Sequence, residues 1–418
     1  MDLVDALSST QRASSPVALS EECLVYRRKF HSIYDVLRHS DIREADLRQV
    51  LQAYMPQDCQ CLAGYQVYVL DTTFFDRAEA KTLEDRRCLR PGLDAAVQFG
   101  HTYSWLVRMV EPGTSWVAPV DVERVPSTQT DTLMGCEQVK RLAAQQAGSK
   151  AVVADGSYGN LPFLSAMEEV QNMEALVRLR HNRCLYEPPP FEPQKKRGRK
   201  RKHGPAFRLS APSRMADLQA EQVLSDGRIL RVAAWQRLHL KTRASREGMV
   251  LRLELLRPDG RACYKRPTFV FWTGNPACDI LALAQMYLWR FGIEHAFRFF
   301  KQQLGLNRCR STFLPGIKRW IWCCVLAYWQ LLLLRHEANL DRPAWYPQRR
   351  TAFTGSVTPR LVQRNAARIL VEIGSPACSP KRSGKGTGRP QGHHPPSRTR
   401  YKTVLTHRQR AELAASSA

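Results

Sequence analysis

The sequence lacks several features that mark zinc-binding, secreted or membrane proteins. Its 12 cysteines include no C-x-x-C pair, so neither a tetrahedral zinc site nor a disulfide scaffold is predicted. The N-terminal MDLVDALSSTQRASS has no basic segment followed by an apolar one and predicts no signal peptide. The apolar run WIWCCVLAYWQLLLL at 320–334 is shorter than the about 20 residues of a membrane span and contains Gln330. That run favours a buried helix, and reduced thiols favour a cytoplasmic protein.

Acidic residues are also scarce. Lys and Arg number 63 against 38 Asp and Glu, which gives a formal net charge of +25. Such a surplus repels itself unless a polyanion neutralises it, and nucleic acid is the commonest such partner. An anionic membrane surface or a ribosome would explain the charge equally well, so charge alone identifies no enzyme.

Composition and periodicity divide the chain into five parts. Between residues 65 and 180 the predicted order is β-β-β-α-β-α-β, an antiparallel start followed by a parallel extension. A Pro-rich and then basic stretch follows, and strand-like runs come after it. The predicted parts are a helical N-terminal region at 1–60, the first part of an α/β core at 61–182, a basic β-rich insertion at 183–275, the second part of the core at 276–340, and a basic tail at 341–418.

Two aspartates are predicted where strands end. Asp71 closes YQVYVLD, and Asp155 closes KAVVAD before a Gly-containing turn. Crevices form at the carboxyl ends of strands in such sheets, and two carboxylates there can hold a hard divalent cation. An aspartate that ends a strand is, taken alone, more often a turn former or a helix cap.

A third carboxylate lies on a long helix predicted at about 279–304. Tyr287, Arg290, Glu294 and Lys301 have offsets of 0, 3, 7 and 14, which place them within one stripe of about 60° on a helix. A core-facing stripe would be aliphatic. The simpler alternative is an exposed Arg290–Glu294 ion pair, worth only a few tenths of a kcal/mol. Combined with the two aspartates, the stripe favours a three-carboxylate site.

These residues carry a resemblance. The pattern Y-x2-R-x3-E-x6-K, preceded by D-T-T at Asp71 and D-G-S-Y at Asp155, resembles the YREK group of DDE transposases from bacterial insertion sequences. The resemblance spans about 65–305, including the long β insertion between Asp155 and Glu294. It implies an α/β fold with an RNase H-like mixed sheet, flanking helices and a β-rich insertion. The family's motif around the second aspartate often reads differently, which leaves roles for Ser157 and Tyr158 open.

The resemblance also implies a mechanism and partners. Asp71, Asp155 and Glu294 would bind two Mg²⁺ ions, or Mn²⁺, and Tyr287, Arg290 and Lys301 would contact DNA. The enzyme would cleave and rejoin double-stranded DNA at terminal inverted repeats, join it to target DNA, and act as a homodimer in the bacterial cytoplasm at the nucleoid, without a membrane partner.

The basic run at 195–202 is a less specific signal for DNA contact. Its cations could follow a phosphate backbone, although such a run is often a solvated loop. The run comprises Lys195, Lys196, Arg197, Arg199, Lys200, Arg201 and Lys202. The basic stretch at 381–402 has the same two interpretations. Trp235 and Trp272 could stack an extruded base if hairpin intermediates form, but tryptophans are mostly buried.

Two other functional classes remain open on sequence alone. A non-catalytic DNA-binding protein, such as a decayed transposase or a repressor, would need the basic runs but not the three carboxylates. An RNase H-like host nuclease would cut structured DNA without specific terminal repeats. The YREK stripe favours a transposase over both.

Overall fold

The structure is a computed structural model. It describes residues 1–11, 15–16, 18–23, 25–26, 28, 31–89, 96–145, 148–190, 201–337, 357–374, 390–394 and 396–404. The segment 191–200, which holds most of the basic run, lies outside the described residues.

Four helices precede the sheet. They are α1 Asp2–Ser9, α2 Ala18–Glu22, α3 His31–His39 and α4 Glu44–Ala53. A buried arginine attaches α4 to the core, since Arg48 donates to Asp121 at 2.7 Å and to Glu123 at 2.6 Å. The helical character predicted for the N-terminal region is therefore present, and its docking depends on charged pairs as well as apolar contact.

The core strands and helices follow the predicted order closely. They are β1 Cys61–Leu62, β2 Tyr65–Asp76, β3 Arg87–Leu89, β4 Gln98–Met109, β5 Val117–Val125, α5 Asp131–Gln145, β6 Lys150–Ala154, α6 Leu161–Glu168 and β7 Met173–Leu179. β2 pairs antiparallel with β4 and parallel with β6, and β6 pairs parallel with β7. The antiparallel start and parallel extension are thus both observed.

The insertion extends this sheet at its β7 edge. Its strands are β8 Cys184–Tyr186, β9 Ala206–Arg208, β10 Leu218–Val223, β11 Ile229–Leu238, β12 Gly248–Leu256 and β13 Thr268–Trp272. β13 pairs antiparallel with β7, which gives the order β10-β11-β12-β13-β7-β6-β2-β4-β3, while β8 and β9 form a separate pair. Strands β3, β8 and β9 have three residues each, too few for alternation to be recognised in the sequence. Strand β10 is longer but mostly exposed, so its sequence lacks a buried apolar face.

Helices cover both faces of the sheet. The remaining helices are α7 Ile280–Trp289, α8 Phe291–Gln302, α9 Leu314–Leu333 and α10 Pro359–Ile373. One apolar core joins α1 and α7–α10 to one face, and a second joins α5 and α6 to the other. This mixed α/β sheet between helical layers confirms the predicted RNase H-like fold class. The helix α10 was not predicted within the basic tail.

Residues 320–333 of the apolar run lie within α9, which is buried against the sheet and α1, and Leu334 is the C-cap of this helix. Within the described ranges no helix is long and apolar enough to cross a membrane. Gln330 has partners on α1: its Nε2 donates to Asp5 at 2.7 Å and its Oε1 accepts from Ser8 at 2.7 Å. The polar residue that interrupts the run therefore positions the N-terminal helix.

We predict that Gln330→Leu lowers the free energy of unfolding by about 1–3 kcal/mol, because Asp5 and Ser8 each lose a hydrogen-bond partner in a buried setting. Urea unfolding followed by circular dichroism measures the change. Gln302→Leu, at an exposed position of α8, is the matched control and is expected to change stability by no more than about 0.5 kcal/mol. Equal stability of the two variants would contradict the role of Gln330.

Candidate active site

The register of two parallel strands brings Asp71 and Asp155 to the same level of the sheet. The last paired residues are Leu70 and Ala154, and Asp71 and Asp155 directly follow them. The two aspartates therefore lie side by side on neighbouring strands, which are about 4.8 Å apart. Val69 and Val153, two residues earlier, both face the α7–α9 side. Because side chains alternate along a strand, both aspartates are directed to that side.

The prediction that Asp71 ends a strand was wrong. β2 continues to Asp76, because residues 71–76 pair with residues 100–105 of β4 after β6 has ended. At Asp71 the parallel pairing of β2 with β6 has ended, and from there β2 pairs only with β4. Asp155, by contrast, directly follows β6 as expected.

The predicted long helix at 279–304 is two helices, α7 and α8, which meet at Arg290. The turns tighten there, since the Arg290 amide donates to Tyr287 O at 3.2 Å and the Ile293 amide to Arg290 O at 3.1 Å. Gly292 lets the backbone approach the sheet, because a Cβ at this position would stand 2.7 Å from Met109 Cε. This break sets Glu294 in the first turn of α8, where a helix N-terminus favours negative charge.

Arg290 connects the two sides of the site. Its guanidinium donates to Asp71 Oδ2 at 3.3 Å and to Glu294 Oε1 at 3.0 Å. The Arg290 side chain is 8% exposed, whereas that of Glu294 is 48% exposed. The predicted Arg290–Glu294 pair thus exists, but it is not the isolated surface pair of the simpler interpretation, since Asp71 shares the same guanidinium.

The site raises the pKa of Asp71 and that of Arg290. Burial raises the pKa of Asp71 to about 6, and the negative charges of Asp155 and Glu294 add to the rise, while Arg290 and the Thr72 amide oppose it. Burial would lower the pKa of Arg290, but Tyr287, Asp71, Glu294 and Asp155 together raise it above its ordinary value. The carboxylates therefore act as one negatively charged cluster with a buried counter-cation.

Asp155 is held by its own turn. The Ser157 amide and Ser157 Oγ both donate to Asp155 Oδ1, at 2.9 and 2.5 Å. Tyr158 is fully buried and packs against Phe163, with ring centroids 5.2 Å apart. Ser157 is accordingly a positioning residue for Asp155, and Tyr158 belongs to the core beneath α6.

The oxygen donors suit a hard divalent cation. Asp71, Asp155 and Glu294 offer carboxylate oxygens, the donor type that Mg²⁺ and Mn²⁺ prefer. In the part of the chain that the structure describes, no three His, Cys, Asp or Glu side chains already surround one metal position. The guanidinium of Arg290 stands between Asp71 and Glu294 and contacts both carboxylates.

The other two residues of the stripe are Tyr287, on the core side of the carboxylates, and Lys301, further along α8. Tyr287 is 4% exposed, and its ring centroid is 5.8 Å from the Arg290 guanidinium carbon. Lys301 lies seven residues after Glu294 on α8, about 10 Å along the helix, and burial lowers its pKa. Tyr287 supports Arg290 from the core side. DNA contact by Tyr287, Arg290 and Lys301 stays a prediction.

A groove that the sequence did not predict opens beside Glu294. It is a cavity of about 850 Å³ between α7–α8 and the hairpin turns of the insertion. Its floor is apolar, and its cationic lining comprises Arg178, Arg228, Lys265, Arg266 and Arg290. Tyr264, also in the lining, is 63% exposed. The motif R-A-C-Y-K-R at 261–266, an aromatic residue among cations between two predicted strands, was the available signal.

The tryptophans proposed as stacking residues are buried. Trp272 is fully buried and its Nε1 donates to Asn275 O at 3.1 Å, and Trp235 is 3% exposed and donates to Arg214 O at 3.1 Å. Neither can stack an extruded base. Of the basic run, Arg201 and Lys202 are described and exposed. Lys195, Lys196, Arg197, Arg199 and Lys200 lie outside the described residues.

We predict that Asp71→Asn stabilises the metal-free protein at pH 7.5 and not at pH 4. An acid whose pKa rises on folding costs stability once pH exceeds its unfolded value, so the penalty develops between the ordinary value of 3.8 and about 6. The expected gain above that window is on the order of 1–3 kcal/mol. Chemical unfolding in EDTA at both pH values measures it.

The control for this measurement is Asp35→Asn, at an exposed position of α3. It is expected to leave the free energy of unfolding within about 0.5 kcal/mol at both pH values. A gain for Asp71→Asn that is the same at pH 4 and pH 7.5 would show that ionisation of Asp71 is not its cause.

Comparison with known proteins places the chain in a family. A family model described as DDE superfamily endonuclease matches residues 2–244, more than half of the chain. The matched segment contains Asp71 and Asp155 and ends before Glu294. No curated protein matches the sequence. The segment's length, together with the mixed sheet that positions both aspartates, shows that the chain belongs to the DDE superfamily of endonucleases.

Proposed function

We propose that this protein is a transposase of the YREK group that cleaves and rejoins DNA at the ends of an insertion sequence. The observation that carries the proposal is the convergence of Asp71 and Asp155, through strand register, with Glu294, through Arg290. Membership of an endonuclease family supports a nuclease reaction at this site. The pattern around Glu294 supports the finer assignment.

We infer that Asp71, Asp155 and Glu294 hold two divalent cations, Mg²⁺ or Mn²⁺. When bound, such ions lower the pKa of the attacking water and stabilise the departing 3′-oxygen. Asp71 contributes a buried carboxylate whose charge is unfavourable without a cation, as its pKa of about 6 reflects. Ser157 orients Asp155 for the same task, and Glu294 is the most exposed of the three acids.

Arg290 has a second role in this proposal. Its Nε is buried and has no hydrogen-bond partner among the described residues. A guanidinium can bind a phosphate through two parallel donors. With the charges of Asp71 and Glu294 engaged in holding the cations, Arg290 would be available to bind a DNA phosphate through its Nε and Nη donors. Lys301 would act as a point charge further along α8.

The groove beside Glu294 supports DNA as the substrate. Arg228, Lys265 and Arg266 line it and can follow a phosphate backbone, while exposed Tyr264 can stack on a base. The double-stranded partners would be terminal inverted repeats and target DNA, with the protein acting as a homodimer at the nucleoid in the bacterial cytoplasm. Arg201, Lys202 and the rest of the basic run would add phosphate contacts.

We predict that Glu294→Gln lowers excision by at least about 100-fold, because it removes an anionic oxygen from the cation site. The assay uses a plasmid marker flanked by several hundred base pairs from each side of the reading frame. The control is Glu372→Gln, at an exposed position of α10, which is expected to excise like the wild type.

Each other outcome selects a different function. Equal excision by Glu294→Gln would remove Glu294 from the mechanism. No excision by the wild type, together with salt-sensitive binding to the flanking DNA, would favour the non-catalytic DNA-binding protein. Cleavage of structured DNA without those flanks would favour the host nuclease.

We also predict that Tyr264→Ala weakens binding of a single-stranded oligonucleotide by about 5- to 150-fold, since stacking on one base is worth about 1–3 kcal/mol. Fluorescence anisotropy measures the dissociation constant. Tyr264→Phe retains the ring and is expected to bind like the wild type. Wild-type affinity in Tyr264→Ala would exclude stacking at this position.

A further inference from the structure

A basic segment close to the C-terminus lies against the edge of the sheet. We call residues 396–404 the strap. The Tyr401 amide donates to Lys81 O at 2.9 Å, and the Val404 amide donates to Arg86 O at 2.8 Å. Val404 also forms a parallel bridge with Arg87 of β3. The strap thus covers the edge strand through hydrogen bonds of its own backbone, and its side chains take no part in those hydrogen bonds.

Two buried arginines connect the strap to the loop that follows the Glu294 helix. Arg86 is 5% exposed and donates to Tyr401 O at 3.3 Å and to Arg77 O at 3.3 Å. Arg77 is 8% exposed and donates to Cys309 O, and to Ser311 O at 2.7 Å. The strap and the loop at 305–313 are therefore neighbours held by one chain of hydrogen bonds.

Exposed cations outnumber exposed acids along this path, where Asp76, Glu79, Glu84 and Glu294 are the exposed acidic residues. Arg298 lies on the solvent side of α8 one turn after Glu294, and Arg308 and Arg310 are exposed on either side of buried Cys309. On the strap, Arg398, Arg400 and Lys402 are all exposed. Lys81 beside them is exposed as well. So many like charges repel one another unless a polyanion lies across them.

The dimensions of this surface fit a duplex rather than a single bound phosphate. From Glu294 to Gln302 the helix rises about 12 Å. The strap lies at the level of Asp76, because Arg87 and Asp76 both pair with Gly100. Asp76 is about 17 Å from Asp71 along β2. That distance corresponds to about five base pairs of duplex, at about 3.4 Å for each.

We propose that the strap is a phosphate-binding element for duplex DNA, about five base pairs or more from the scissile phosphate. Arg398, Arg400 and Lys402 extend a surface that begins at Glu294 and continues through Arg298, Arg308 and Arg310. The inference rests on the proposed function for the identity of its ligand, DNA, but not on cleavage. Edge protection explains the strap's backbone hydrogen bonds, and charged side chains can also deter pairing with another chain, so the salt dependence of DNA binding is what separates the two roles.

The test compares two triple variants of the full-length protein. The strap variant is Arg398→Ala/Arg400→Ala/Lys402→Ala, and the control is Lys140→Ala/Lys241→Ala/Arg246→Ala, three exposed cations on the α5–α6 side. Both lower the formal net charge from +25 by three. Anisotropy with a 30-base-pair duplex is measured in EDTA between 50 and 200 mM KCl, so no cleavage interferes.

The strap variant is expected to reduce the slope of log K against log salt by about 2–3, since each phosphate contact contributes about 0.9. The control is expected to leave the slope within about 0.5 of the wild type, since distant charges act weakly at these salt concentrations. Arg398→Lys/Arg400→Lys retains the charges and is expected to restore the wild-type slope. A thermal melt unchanged from that of the wild type shows that the strap variant is folded.

A strap variant with the same slope as the control would overturn the proposal and leave the strap an edge cover only. Slope loss that the Lys variant does not restore would also overturn it, because charge would not be the cause. The outcome is separable from the proposed function: Glu294→Gln tests excision without altering the strap, and the anisotropy test requires no excision.

Discussion

The parallel pairing of β2 with β6 is the constraint on which the site depends. It places two carboxylates side by side at the end of the paired region, directed to one face of the sheet. Two neighbouring acids in a buried setting repel each other and lose hydration. The structure offsets this with Arg290, a nearly buried guanidinium that reaches Asp71 and Glu294 together. The break between α7 and α8 puts Arg290 and Glu294 beside Asp71, where the pairing of β2 with β6 ends.

Much of this arrangement could be predicted from sequence because its elements are long and periodic. The strands that position Asp71 and Asp155, and the helices around Glu294, have clear alternation or helical spacing. The spacing of Tyr287, Arg290 and Glu294 predicted that they lie together, and Arg290 does contact both other side chains although the helix is broken there. Sequence could not reveal that Asp71 lies within a longer strand, because β2 has a partner on one side only beyond that residue.

Other features escaped prediction for a different physical reason: they depend on contacts between distant segments. Gly292, directly after the break at Arg290, lies close to the Met109 side chain of β4. The strap is held by backbone atoms of Lys81 and Arg86, more than 300 residues earlier in the chain. The groove beside Glu294 exists because two hairpin turns of the insertion meet α7 and α8. Local periodicity in the sequence contains no information about such contacts between distant segments.

The pairing of β13 with β7 has a consequence for how this protein can vary. Val270 and Trp272 of β13 belong to the core under α7–α9, whereas Phe269 and Phe271 belong to the opposite core. A shift of β13 by one residue would exchange these pairs between two differently shaped interiors. The hairpin turns of the insertion can therefore lengthen or shorten in relatives and reshape the groove. The pairing constrains the length and phase of the strands that carry those turns, so changes in the shape of the groove are expected in the turns.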